Sequence, residues 1–332
     1  MDPKDRAELI AFVREARPHL APAGPSTEEW LTRLEERHDG LASLVEDLLA
    51  ADPETAAELA GVLWTFWWLR GHMVEGRRLL ERAVLIAGPY HVEVLKGLGT
   101  VAFRQGDLEA ANQAFQQRLE LITAGGDRRA LADAFADLAR VALRRGDFDR
   151  VREYAERGYA AAEGLEPQAV RAPLHMQAAA ARMQGRLSEA RALYLRSREI
   201  NAELGNHLSV AAEDHNLFYV ALHSGDREEA ERRFHAASAW IFANDNAYLK
   251  PYTLLDAGVL ALHDGDRERA CRLIAAANRI FEDTESIPDP DDRVELDTAV
   301  DRLKSDLKDR FGSLWADGRT LSLEQARKLA RA

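Results

Sequence analysis

One cysteine in 332 residues, Cys271, leaves no intramolecular disulfide to form and excludes the stapled frameworks of small secreted domains. Long apolar runs are missing too: nothing approaches the roughly 20 consecutive apolar residues that span a bilayer. The first ten residues, MDPKDRAELI, already carry five charges and lead into no apolar core, which excludes a secretory leader. A basic surplus is also lacking. The 44 Lys and Arg face 56 Asp and Glu, a net charge of −12, and such a surface opposes the phosphate neutralisation on which DNA and RNA binding rests. These absences point to a cytoplasmic chain with no membrane segment and no direct nucleic-acid partner.

What remains is helix-forming. Glycine and proline are modest at 21 and 11 residues, and Ala, Leu, Glu and Arg dominate. Hydrophobic residues at 46% and charged residues at 30% exclude both disorder and a membrane protein. The segments WWLRGHMVEGRRLL, AFRQGDLEAANQAF, ALRRGDFDRVREYA, ARMQGRLSEARALY, ALHSGDREEAERRF and ALHDGDRERACRLI superimpose without gaps. Their glycines, Gly71, Gly106, Gly146, Gly185, Gly225 and Gly265, are spaced by 35, 40, 39, 40 and 40 residues. A register held six times is an internal repeat.

Each unit reads as helix, glycine turn, helix, the glycine serving where a helix ends in a left-handed backbone. Asp107, Asp147, Asp226 and Asp266 follow their glycines and put negative charge at the start of the next helix. Five residues past each glycine stands a small side chain (Gly76, Ala111, Ala190, Ala230 and Ala270, with Val151 the exception). Four further on stands a larger one, Leu80, Phe115, Tyr194, Phe234 or Ile274, with Ala155 breaking the rule. This pattern resembles the tetratricopeptide repeat (TPR), with about 40 residues per unit in place of the usual 34 or so. The expected fold is therefore all-α: a TPR-like right-handed superhelical array of about six antiparallel hairpins with helical caps at both ends. The expected boundaries are 1–50 for the N-terminal cap, then hairpins at about 51–88, 89–126, 127–167, 168–206, 207–246 and 247–285, and 286–332 for the C-terminal cap.

In the N-terminal cap one helix is expected near Asp5–Pro18 and a second from Thr27 to about Ala50, separated by APAGPST. At the other end, Asp289-Pro290-Asp291-Asp292 has the make-up of a helix start: a capping Asp, Pro in the first position and acids in the first turn. Ser322 with Gln325 reads as a capping box for a short final helix.

Beyond the generic repeat, WLTRLEERHDGLASLVEDLL, AGVLWTFWWLRGHMVEGRRLLERAV, the six turns, DHNLFYVAL and the tail RLIAAANRIF…FGSLWADGRTLSLEQARKLA resemble one bacterial group. That group is the MalT-like TPR region, the C-terminal sensor arm of LuxR-type, NTPase-containing transcriptional regulators, and the likeness runs from about residue 5 to the C-terminus. No G-x-x-x-x-G-K-[ST] phosphate loop occurs, and no region is left for a helix-turn-helix domain. The resemblance implies a sensor arm standing alone, which receives a ligand or an inhibitory protein in transcriptional control or signalling. The chain's own Met1 favours a complete product over a fragment.

In a TPR array the first helix of each hairpin lines the concave face. Taking each glycine as position fifteen, positions 2, 5, 6, 9 and 13 face that groove. Hairpins two and three then offer Lys96, Thr100, Arg104, Asp137, Arg140 and Arg144; hairpins four to six offer His175, Arg182, His215, Asn216, Tyr219, His223 and His263. Arg104, Arg140 and Arg144 make a basic patch suited to carboxylate or phosphate, and Asn216 with Tyr219 suits a peptide amide and a flat side chain. The plainer reading is that these arginines pair with Asp133 and Asp137 a turn or two earlier on the same helix.

Sharper chemistry fails on geometry. His215 and His223 lie roughly 12 Å apart along a helix, too far to share a metal. Asp289–Asp292 lacks the glycine and glutamate of a calcium loop, with Val294 and Val300 in those places. Trp64, Phe66, Trp67 and Trp68 cover more than one helix face and read as core, and Cys271 follows Ala270 into a hairpin interior. No nucleophile elbow, H-E-x-x-H, cysteine pair or phosphate loop is present, so no enzyme and no cofactor is expected. Two readings stay open: a groove that captures a peptide, protein segment or small effector, and a scaffold that joins larger subunits through convex or terminal surfaces. The aromatic-rich first hairpin also leaves room for a homodimer.

Overall fold

The helix periodicity is realised along the whole chain. The computed structural model describes residues 2–20, 26–244 and 246–331, and among them every regular element is helical. Most of the APAGPST segment, residues 21–25, lies outside the described residues. The array is an all-α, TPR-like stack of antiparallel helices. It divides into two compact units, Met1–Met176 with Glu203–Asn206, and Gln177–Ala202 with His207–Ala332.

The first unit opens with α1 (Pro3–Leu20), α2 (Thr27–Glu35) and α3 (His38–Ala51), so the single helix expected over Thr27–Ala50 is two. Its break falls in the run Glu35-Glu36-Arg37-His38-Asp39-Gly40, which supplies no apolar residue to carry a buried stripe across and ends in a poor helix former. Next come α4 (Pro53–Arg70), α5 (Met73–Ala83), α6 (His91–Arg104), α7 (Leu108–Gly125), α8 (Arg128–Arg144) and α9 (Phe148–Ala162). A 3-10 turn at Pro167–Val170 leads into α10 (Arg171–Met183), whose later residues belong to the second unit. That unit continues with α11 (Leu187–Glu203), α12 (His207–His223), α13 (Arg227–Ala243), α14 (Lys250–His263) and α15 (Arg267–Asp283). Beyond the repeats lie α16 (Pro290–Leu307), α17 (Phe311–Thr320) and α18 (Leu323–Arg331).

All six turn glycines have φ between 71° and 88°. At Gly106 the glycine amide donates to Phe103 O and the Asp107 amide to Ala102 O, so orphan carbonyls at the helix end are satisfied; the other turns repeat the pattern. The aspartates do more than place charge. Asp107, Asp147, Asp226 and Asp266 each accept the amide three residues on, at 3.0–3.1 Å, which makes them N-caps worth about 1 kcal/mol apiece. Ser322 and Gln325 close a reciprocal capping box at α18.

Small residues let the helices approach. The side chains of Ala111, Val151, Ala190, Ala230 and Ala270 are fully buried, as are Leu80, Phe115, Tyr194 and Ile274 four residues on. A Cβ built on Gly99 would lie 2.4 Å from Phe115 Cε1, and one on Gly258 would lie 2.5 Å from Ile274 Cγ1. Trp64 sits equally close above Gly97 of the next hairpin, and Trp64, Phe66 and Trp67 are all buried. Cys271 is buried as well, and desolvation pushes its thiol up to about 11. Among the described residues no helix is long and apolar enough to cross a membrane.

Overpacking at such a contact costs about 1–3 kcal/mol. Gly99→Ala is therefore expected to lower the unfolding free energy from urea titration by that amount, whereas Gly88→Ala, whose Cβ meets nothing within 4 Å, leaves it unchanged.

Candidate functional site

The first helices of the hairpins carry the candidate residues, and each unit arranges them differently. In the first unit Lys96 Nζ on α6 stands 3.3 Å from Asp133 Oδ2 on α8. Asp137, one turn further along α8 and buried, accepts Arg140 on one oxygen and Arg118 of α7 on the other, each at 3.1 Å. Burial pushes the Asp133 carboxyl up, but Lys96, Arg118 and Arg171 outweigh it and hold the group below its ordinary range. Arg104 is buried, its guanidinium 5.3 Å from the Trp68 ring and 5.7 Å from the Phe103 ring, and the Arg144 guanidinium lies 4.2 Å from the same Phe103 ring. Trp68 in turn stacks on Trp64 at 6.1 Å. His175 is half-buried on α10.

The pairing of Arg140 with Asp137 follows the plainer reading. Lys96 meets Asp133, Arg118 shares Asp137 with Arg140, and Arg104 and Arg144 lie against aromatic rings on the same face. Trp68 and Phe103, which place arginines by cation–π contact, and Arg118, which comes from a second helix, escape a reading limited to groove positions on first helices.

In the second unit Arg182, His215, Asn216 and Tyr219 form one buried cluster. Arg182 Nη1 donates to Asn216 Oδ1 at 3.1 Å, and its guanidinium lies 4.4 Å from the centre of the Tyr219 ring. His215 Nδ1 meets Asp256 Oδ2 of α14 at 2.8 Å, and its ring stands edge-on to Tyr219 and Tyr252. The rest of the cluster comes from outside the repeats, on α16. Arg182 donates to Asp291 at 2.8 Å, Asp292 at 3.1 Å and Glu295 at 3.3 Å; His215 Nε2 lies 3.1 Å from Asp292, and His223 Nε2 3.3 Å from Glu295. Tyr248 and Tyr252 reach Asp289 through their hydroxyls. His263 stays exposed beside Asp264.

This corrects two expectations about the Asp289–Asp292 run. The Asp289 side chain makes no cap hydrogen bond, because the two tyrosine hydroxyls hold its carboxylate instead. Asp291 and Asp292 turn inward onto Arg182 and His215, so α16 covers a first-helix face and does not merely shield a terminal repeat.

Burial disfavours charge on His215, yet Asp256 and Asp292 overcome it and raise its pKa well above the ordinary 6.5. Of these two acids Asp292 carries the ion pair: burial pushes it up, but His215 and Arg182 bring it below its usual range. Asp256 stays above its usual value, since burial outweighs His215 there.

A tetratricopeptide-repeat family model matches residues 94–164, which span α6 to α9. That stretch is similar to tetratricopeptide repeats. No curated protein matches the sequence of the chain. Among solved structures, a Rap protein complexed with competence and sporulation factor is similar at 13% identity with a TM-score of 0.60, over 98% of this chain and 96% of that one. The apo form of RapI gives 13% identity and a TM-score of 0.48 over 98% and 99%. BtubC (BKLC) from P. vanneervenii gives 16% and 0.47 over 65% and 92%. The likeness to the Rap complex supports the TPR fold over the whole length of the repeats and their caps.

The raised pKa of His215 sets a pH dependence. Its contribution to stability is complete below the unfolded value of about 6.5 and is lost as pH rises through the folded value. The urea midpoint of α12 and α16, followed by hydrogen exchange, is expected to be higher at pH 6 than at pH 9. His215→Gln should remove most of that difference, and an unchanged difference would show that another group sets it.

Proposed function

We propose that the chain is a non-catalytic binding module that captures a carboxylate-bearing protein or peptide segment on the first-helix faces of its repeats. The observation that carries this reading is the make-up of the α6–α8 face, where Arg104 and Arg144 lie against the Trp68 and Phe103 rings beside Lys96, Arg118 and Arg140. Guanidinium groups laid against aromatic rings keep their N–H edges in the plane a carboxylate needs, and each charge-assisted hydrogen bond is worth about 1.5–3 kcal/mol. Trp68 and Phe103 add flat apolar area beside the charges, the pairing typical of residues that dominate binding energy. A structural relative was solved with a bound factor, in keeping with a repeat face that receives a ligand. Lys96, Arg104, Arg140, Arg144 and His175 form this part of the site, and His215, Asn216, Tyr219 and His223 belong to the corresponding face of the second unit. On the resemblance to MalT-like sensor arms we further propose that the module serves bacterial transcriptional or signalling control, with the bound segment acting as the regulatory input.

An array of short peptides of varied charge tests the reading. Peptides retained by the wild-type chain are expected to be rich in Asp and Glu. Arg140→Glu with Arg144→Glu should weaken their binding by about tenfold or more, the equivalent of roughly one charge-assisted hydrogen bond. Arg145→Glu, on the exposed turn beside them, serves as the control and should change binding little. Retention independent of peptide charge, or equal binding by the double variant, would refute it.

A further inference from the structure

Much of the Arg182–His215 cluster is held by contacts that do not involve α16. Arg182 is held by Asn216 and the Tyr219 ring, and His215 is oriented by Asp256 and by the edges of two tyrosines, all on α10, α12 and α14. Those contacts leave the second guanidinium nitrogen and His215 Nε2 directed at whatever occupies the face. A preset pair of cationic donors with an aromatic floor is a receptor for carboxylates.

The occupant is held by charge. Arg182 and His215 face the carboxylates of Asp256, Asp291, Asp292 and Glu295, and His223 also meets Glu295. Buried ion clusters are weak sources of stability, since apolar side chains of similar volume hold a fold as well or better.

The attachment of α16 is also divided along its length. Its apolar anchor is Leu296, Ala299, Leu303 and Leu307, all buried in the core beneath α14 and α15. Ahead of Leu296 only Pro288 and Pro290 are buried apolar residues, Val294 is exposed, and ionic contacts hold the first turn. The chain enters through Glu285, a non-glycine residue at φ 46°, a backbone state that L side chains rarely adopt. The first turns of α16 can therefore lift while its later turns stay anchored.

We propose that the Arg182–His215 face is a binding site for an acidic helical turn of a partner protein, and that the chain's own Asp291-Asp292-x-x-Glu295 occupies it as an internal ligand until a partner displaces it. This builds on the proposed binding function but concerns a second face with its own residues. Because the site is filled, its apparent affinity for an external acidic segment is reduced by the small fraction of time α16 is lifted.

The probe is a labelled synthetic peptide copying residues 286–299, added to the intact chain. Backbone hydrogen exchange over residues 290–296 is expected to accelerate as the peptide is added, while exchange over α15 and α17 stays constant. A peptide with Asn in place of Asp291 and Asp292 and Gln in place of Glu295 should have no effect. The Asp291→Asn, Asp292→Asn chain should bind the acidic peptide about tenfold more tightly than wild type, because its own occupant is weakened, and a further Arg182→Met should abolish that gain. The wild-type exchange measurement stands even where the substituted chains do not fold. Unchanged exchange over residues 290–296, or equal acceleration by the substituted peptide, would overturn the proposal and leave α16 a fixed cap. Running the same titration on the Arg140→Glu, Arg144→Glu chain separates the two readings, since displacement at Arg182 does not require the α6–α8 face.

Discussion

Each hairpin depends on two helix backbones approaching until a side chain of one fills the space left by a missing or minimal side chain on the other. Phe115 over Gly99 and Ile274 over Gly258 are the tightest cases, with alanines in the same role along α7, α11, α13 and α15. The glycine turn makes that approach available, because its left-handed backbone reverses the chain within a few residues while satisfying the helix carbonyls. The aspartate after it then starts the second helix by capping its amides. Turn, cap and close packing are one device, repeated about every 40 residues, and the first-helix faces receive their side chains in register because of it.

Charge is organised differently in different places. Asp214, buried between α11 and α13, is met by both Arg198 and Arg233 at 2.7 Å, so positive partners surround a single acid. On the α6–α8 face Lys96 meets Asp133 while Arg118 and Arg140 share Asp137. In the second unit the acids at the start of α16 meet Arg182, His215 and His223. The first pattern joins neighbouring helices, and the other two set the charge that each face offers a partner.

The hairpins were legible because their signals are local: a glycine, an aspartate one residue on, a small residue five on and a large one nine on. Register alone also put Arg182, His215, Asn216 and Tyr219 on one side of their helices, and these four do meet. The break between α2 and α3 was harder to see, since Glu36 and Arg37 carry no strong terminator before Gly40. The docking of α16 was not legible at all. Asp289-Pro290-Asp291-Asp292 reads as an ordinary helix start, and nothing local says that its acids meet an arginine more than a hundred residues earlier. Trp68 likewise looks like its buried neighbours until Arg104 is placed beside it. Local pattern specifies elements and faces, whereas the pairing of distant charges is decided by how those faces are covered.

The bond from Arg182 to Asp291 joins residues 109 positions apart, and it changes the kind of object the second unit is. Helices in the first unit pack chiefly on their neighbours in chain order, so disturbance there decays along a row of near-independent modules, as nearest-neighbour stacking dictates. In the second unit the acids of α16 return to Arg182 and His215, which adds a long-range tie to the nearest-neighbour stacking. Closing so long a loop is slow compared with forming a hairpin, so this tie is expected to form after the hairpins it joins.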